Sequence, residues 1–100
     1  QNYPNPFNPS TTIEYSIPVN STHYKVGSKQ YQESSIQHQV SVSLKVYDIL
    51  GREVTTLVNK KQQPGHHLVK WNGANNLSGT YFYRIQIGDY TETKKMLLIK

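Results

Sequence analysis

Apolar and polar residues alternate with a period of two along most of the chain. In Thr11–Ile17, Ile13, Tyr15 and Ile17 fall on one side and Thr12, Glu14 and Ser16 on the other. That is the pattern of a half-buried strand, and Pro18 stops it. Val40–Asp48 repeats it: Val40, Val42, Leu44 and Val46 face one way, Ser41, Ser43, Lys45 and Tyr47 the other. Asp48-Ile49-Leu50-Gly51 then sets Asp and Gly at the first and fourth positions of a type I turn, so Arg52–Val58 returns as a hairpin partner. Lys60–Gly65 reads as a polar connector ending in the turn pair Pro64-Gly65. His67, Val69 and Trp71 share a face of the next strand, which Asn72-Gly73 closes. Tyr81, Tyr83, Ile85 and Ile87 alternate with Phe82, Arg84 and Gln86, Gly88-Asp89 turns the chain, and Tyr90–Lys100 forms a last strand. Nowhere does a helical period compete.

Two segments break the alternation. Asn2–Pro9 packs three prolines and three asparagines around Tyr3 and Phe7. Proline fixes φ and lacks an N–H, so residues 1–10 read as a proline-rich arm on an extended, polyproline-like path. Its asparagines are suited to closing local turns, and Tyr3 and Phe7 to pinning it to a core. Residues 19–39 are polar and rich in Ser, Gln and His. A connection of this length with no structure of its own is uncommon in a compact domain. Tyr24-Lys25-Val26, Gly27-Ser28 and a second run at Tyr31 therefore suggest an inserted hairpin.

Short strands with regular turn signals predict an all-β fold, an Ig-like or fibronectin-III-like antiparallel sandwich of about seven strands with an extra hairpin-like insertion. One hundred residues suffice for one domain, spanning 1–100, with a single modest core. Hydrophobic residues make up only 35%, and eight tyrosines help to fill the core, since a tyrosine ring buries while its hydroxyl stays wet. With no cysteine, the core is built without disulfides, which points to a bacterial or reducing setting. The chain shows no signal peptide and no apolar run long enough for a transmembrane helix.

Candidate chemistry is sparse. The formal net charge is +5, but the basic residues are scattered, with only Lys60-Lys61 and Lys94-Lys95 adjacent. They read as solvated strand faces and not as a nucleic-acid site. His66 and His67 are consecutive, so on a strand they point to opposite faces and cannot simply share a metal. His23 and His38 have no ligand-type neighbour at useful spacing. No phosphate loop, serine elbow or zinc-protease pattern occurs. The expectation is a protein that is not an enzyme, with no cofactor, no metal and no catalytic residue. Asn20-Ser21-Thr22 and Asn76-Leu77-Ser78 match the glycosylation sequon, a pattern common by chance.

Five blocks, in order, carry a resemblance: QNYPNPFNPSTTIEYSIP (1–18), VSLKVYDILGREVTTLV (42–58), PGHHLVKWNG (64–73), LSGTYFYRI (77–85) and KKMLLIK (94–100). Together they resemble the C-terminal sorting domain of the bacterial type IX secretion system, type A, which is related to the Ig-like domain of flagellar hook-cap proteins. The family-motif positions are Tyr3, Pro4, Asn5, Pro6, Phe7, Asn8, Pro9, Tyr47, Asp48, Gly51, Arg52, Trp71, Gly73, Gly79, Tyr81 and Tyr83. The resemblance implies a non-catalytic sorting and anchoring module behind an N-terminal cargo in a parent chain. Such a module is exported to the periplasm, recognised by the outer-membrane translocon, often cut off by a sortase, and leaves its cargo at the cell surface or outside the cell. It places the sorting signal in the last strand, at Lys94, Lys95, Met96, Leu97, Leu98, Ile99 and Lys100. Residues 19–39 depart from the family, which usually crosses from its first strand to VxLxVYD in a few residues.

Two other readings stand beside it. A sandwich with a prolyl arm and an insert could exchange strands with a neighbour and form a homo-oligomer, fibre or surface layer. Carbohydrate binding on Tyr and Trp faces is open to any sandwich, but no cluster can be placed for it.

Overall fold

The structure, a computed structural model, describes residues 1–18 and 39–100 together with the backbone of 25–26 and 29–30. Among the described residues nine strands follow in order: β1 (Asn2–Tyr3), β2 (Ser10–Ile17), β3 (Lys25–Val26), β4 (Lys29–Gln30), β5 (Val40–Asp48), β6 (Glu53–Gln62), β7 (Gly65–Asn72), β8 (Gly79–Ile87) and β9 (Tyr90–Leu98). One sheet has the order β1-β2-β7 and the facing sheet β6-β5-β8-β9. Neighbours within each sheet pair antiparallel. This is the antiparallel sandwich of seven strands that the alternation predicts. In the insertion, β3 pairs antiparallel with β4 through Lys25↔Gln30 and Val26↔Lys29. The expected turn at Gly27-Ser28, Tyr24, Tyr31, His23, His38 and the sequon at Asn20 lie outside the described residues.

The alternation places the core. Ile13, Ile17, Val42, Leu44, Val46, Trp71, Tyr81, Tyr83, Ile85, Met96 and Leu98 are all buried, and Tyr15, Val40, Val69 and Ile87 pack against them. An aromatic row joins the sheets: Trp71 meets Phe7 at 5.5 Å and the Tyr81 ring edge-on at 5.3 Å, a geometry that aromatic quadrupoles favour. The Tyr81 hydroxyl donates to the Leu77 carbonyl four residues upstream at 2.6 Å. That contact ties the loop before β8 to the strand, in the manner of the tyrosine corner of Ig-like sandwiches.

Four expectations are corrected. Lys60–Gln62 is not a connector. It continues β6, because β5 begins at Val40 and the ladder runs on to Val40↔Gln62 through two register shifts, at Leu44/Lys45 and Val46/Tyr47. The turn after β7 lies at Gly73–Asn76, where Asn76 N–H donates to the Gly73 carbonyl and Ala74 N–H to the Asn72 side chain. The last strand stops at Leu98. The arm does not follow one extended path. It pairs at β1, bends through residues 4–6 and again at 8–9, and its Tyr3-Pro4, Asn5-Pro6 and Asn8-Pro9 bonds are cis.

Candidate functional site: the arm on the last strand

The arm joins both sheets. Asn2 and Tyr3 lie against Ile13 and Thr12 of β2. After the bend at residues 4–6 the chain reaches the outer edge of β9, where Phe7 forms a parallel bridge to Leu98. Phe7 N–H donates to the Leu97 carbonyl at 3.0 Å, and Ile99 N–H donates to the Phe7 carbonyl at 2.9 Å. Asn5 extends the pairing with its side chain: its Oδ1 accepts from Leu97 N–H at 3.0 Å and its Nδ2 donates to the Lys95 carbonyl at 3.3 Å. A primary amide carries one acceptor and two donors, so it can replace a strand residue at a sheet edge. The edge that would otherwise offer free backbone groups to another chain is thus occupied over Lys95–Ile99.

Burial locks the arm. Phe7 is 2% exposed, and seating such a ring contributes about 1.5–3 kcal/mol. Tyr3, expected to pin the arm as well, is 47% exposed and does not. Asn2 takes that place. It is buried beside Thr11, its Nδ2 donates to Thr11 Oγ1 at 3.1 Å, and Thr11 Oγ1 donates to the Pro4 carbonyl at 3.0 Å. Beyond Phe7, the Pro9 carbonyl accepts from Gly73 N–H at 2.8 Å. A Cβ on Gly73 would stand 3.1 Å from Leu98 Cδ2 and 3.5 Å from the Pro9 oxygen. A side chain there would crowd the Leu98 methyl group. Pro6 and Asn8 are exposed.

The expected sorting residues divide by face. Met96 and Leu98 are fully buried, while Leu97 and Ile99 are 39% and 48% exposed. Lys94 pairs with Glu92 at 3.3 Å, and Lys95 points outward. Lys100 is held by its backbone N–H to Ser78 Oγ at 3.0 Å and by its ammonium to the Ala74 carbonyl. Gly79 opens β8 directly opposite Leu98. Arm, last strand and the loop before β8 therefore form one assembly.

The YDxxGR block is separate from it and explains itself locally. Asp48 Oδ1 accepts from the backbone N–H groups of Leu50 and Arg52, both at 2.9 Å, and Oδ2 accepts from Arg52 Nε at 2.8 Å. Gly51 sits at φ 83° and its N–H donates to the Asp48 carbonyl, closing the expected turn with a residue that tolerates positive φ. The Arg52 amide and then its guanidinium hold the Asp48 carboxyl below its usual range. Tyr47 is half-buried on the outer face.

Sequence reasoning missed the use of Asn5 and the burial of Asn2. Asparagine in a prolyl stretch reads as a local turn former, and nothing in its spacing points to a strand ninety residues away. Among the described residues, no group of three or more His, Cys, Asp or Glu side chains could hold a metal ion, and no helix is long and apolar enough to cross a membrane.

The model of the secretion system C-terminal sorting domain family matches residues 1–100. The chain belongs to that family, the type IX secretion C-terminal sorting domains. No curated protein and no solved structure matches it. In this sorting domain two of the five blocks that carry the resemblance, the prolyl opening and KKMLLIK, are in direct contact.

Proposed function

We propose that this sorting domain is the C-terminal label of a cargo protein carried ahead of it, and that Lys94–Lys100 is the part read by the outer-membrane translocon. A sortase then removes the label and leaves the cargo on the cell surface. Membership of the family carries the coarser statement, a non-catalytic signal for type IX secretion and export. The finer reading is supported by one observation: β9 is bonded to β8 on one side and to the arm on the other. Leu97 and the lysines of β9, with Ile99 and Lys100 just beyond its end, are therefore offered from a fixed frame, not from a loose tail. The arm, being engaged on its own β9, supports presentation of this strand over exchange with a neighbour.

The test is a passenger fused ahead of residues 1–100 in a host with a working type IX system. The passenger should reach the surface or medium, and replacing Lys94, Lys95 and Lys100 together by Ser should leave folded passenger in the periplasm. Retention of the unmodified fusion in the periplasm would sink the sorting reading. Normal export of the triple variant would remove only the assignment of the signal to these lysines.

A further inference from the structure

The edge formed by β1 and β9 is closed by the arm along only part of its length. Where Tyr90 and Glu92 face the end of β2, a groove of about 460 Å³ remains, floored by Tyr83, Ile85 and Ile87. Three features of the groove match a further stretch of strand. First, Gln1 and Glu14 form a doubly bonded antiparallel pair, with Glu14 N–H donating to the Gln1 carbonyl at 2.8 Å and the Gln1 amino group to the Glu14 carbonyl at 3.2 Å. Such pairs recur at every second residue. The next β2 residue to present both N–H and C=O at this edge is Ser16, and no described strand lies there, although β2 is paired with β7 on its other side as far as Ile17↔Gly65. Second, the Tyr83 hydroxyl is buried without a hydrogen-bond partner among the described residues, on a ring that lines the groove. A buried hydroxyl left unpaired is costly. Third, the Gln1 ammonium has its pKa lowered, chiefly by burial and then by Lys94. A peptide N–H in the same place would carry no charge to desolvate.

We propose that this groove seats the polypeptide directly ahead of Gln1, which continues β1 along β2 to Ser16 and so holds the junction with the cargo within the sheet. The inference rests on reading the chain as the label of a cargo. The register follows from Asn2↔Ile13. The first residue ahead of Gln1 stands opposite Tyr15, with its side chain directed inward as that of Asn2 is, over Tyr83. A side chain with an apolar body and an acceptor oxygen fits that position, filling the groove and accepting a hydrogen bond from the Tyr83 hydroxyl. The second residue stands opposite Ser16, exchanges two backbone bonds with it and points outward. The junction is then protected as strand and not exposed as a flexible tether, and a cleaving enzyme must act ahead of it or first pull the strand away.

Amide hydrogen exchange tests this on three purified proteins: residues 1–100 alone, the same chain preceded by six alternating threonines and valines, and the extended chain with proline at the second place ahead of Gln1. The Ser16 amide should exchange at least about tenfold more slowly in the extended chain, and the proline form should lose most of that protection, since it lacks the donor for the Ser16 carbonyl. Equal Ser16 exchange in the extended and unextended chains overturns the proposal. So does protection of Ser16 by the same six residues as a free peptide when the linked segment gives none, because the groove would then serve a separate chain. Export of a passenger is scored independently, so failure of sorting leaves the exchange result standing, and failure here leaves sorting untouched.

Discussion

Along the edge shared by β1 and β9, the half over Lys95–Ile99 carries a second layer of backbone and amide hydrogen bonds from Asn5 and Phe7. The half over Tyr90 and Glu92 carries none from the described residues and opens into a groove over Tyr83. The floor is apolar in both, built by Met96 and Leu98 of β9 in the closed half and by Tyr83, Ile85 and Ile87 of β8 in the open one. What differs is whether a proline-bent segment crosses from one sheet to the other. The prolines therefore do more than exclude helix: with no N–H on Pro4, Pro6 and Pro9, the arm presents few backbone donors that need partners while it changes sheets. The polar work at the closed half falls to Asn5, Asn2 and the Phe7 backbone.

The comparison breaks most severely at Phe7. Replacing it with Ala should cost about 3–5 kcal/mol, read as a lowered urea midpoint, because the ring joins Trp71 to the arm. The same change at Tyr3 should stay within about 0.5 kcal/mol, since that ring is 47% exposed. Equal effects at the two aromatics would mean that the arm is not pinned as described. Next in size is Gly73→Ala, expected to cost about 1 kcal/mol by crowding Leu98 Cδ2, which would lie 3.1 Å from the added Cβ. An unchanged midpoint would show that the arm and last strand have room to move apart.

At the open half the sign reverses. Tyr83→Phe removes a buried hydroxyl that has no described partner, so the variant of the 100-residue chain should be as stable as the parent or more stable, by about 1 kcal/mol. A clear loss would reveal a partner for that hydroxyl. The smallest effect belongs to the Asp48 turn, which both halves leave aside. Its carboxyl is held below the usual range by the Arg52 amide and guanidinium. A depressed folded pKa stabilises above the unfolded value of about 3.9, and the contribution is lost as pH falls through the lower folded value. Urea midpoints should therefore fall more on acidification below about pH 4 in the parent than in Asp48→Asn, which cannot titrate. Parallel pH profiles would contradict this.

Much of the molecule can be read from local order. Val42, Leu44 and Val46 alternate with polar residues because one sheet face is wet, and Asp48 with Gly51 states its own turn. Trp71, Tyr81 and Tyr83 announce a core through their spacing. The site is less legible because its contacts are non-local and polar. Asn5 reaches Lys95 and Leu97 through side-chain atoms, and asparagine in a prolyl segment has the same appearance whether it closes a turn or completes a distant sheet. Tyr3 and Phe7 are equally aromatic in sequence, and only the bend between them decides which one enters the core. The extension of β6 past Lys60 escaped for a related reason: the outer strand of a sheet can be polar throughout, so its residues carry no alternation to read.

The central claim is that the prolyl opening and the last strand form one folded unit, and the Leu97 amide reports on it most directly. Its hydrogen is accepted by Asn5 Oδ1, so Asn5→Ala should speed exchange at Leu97 by at least about tenfold while Ile85, in the middle of β8, keeps its protection. Unchanged exchange at Leu97, or an equal rise at Leu97 and Ile85, would contradict the claim that the arm caps the last strand.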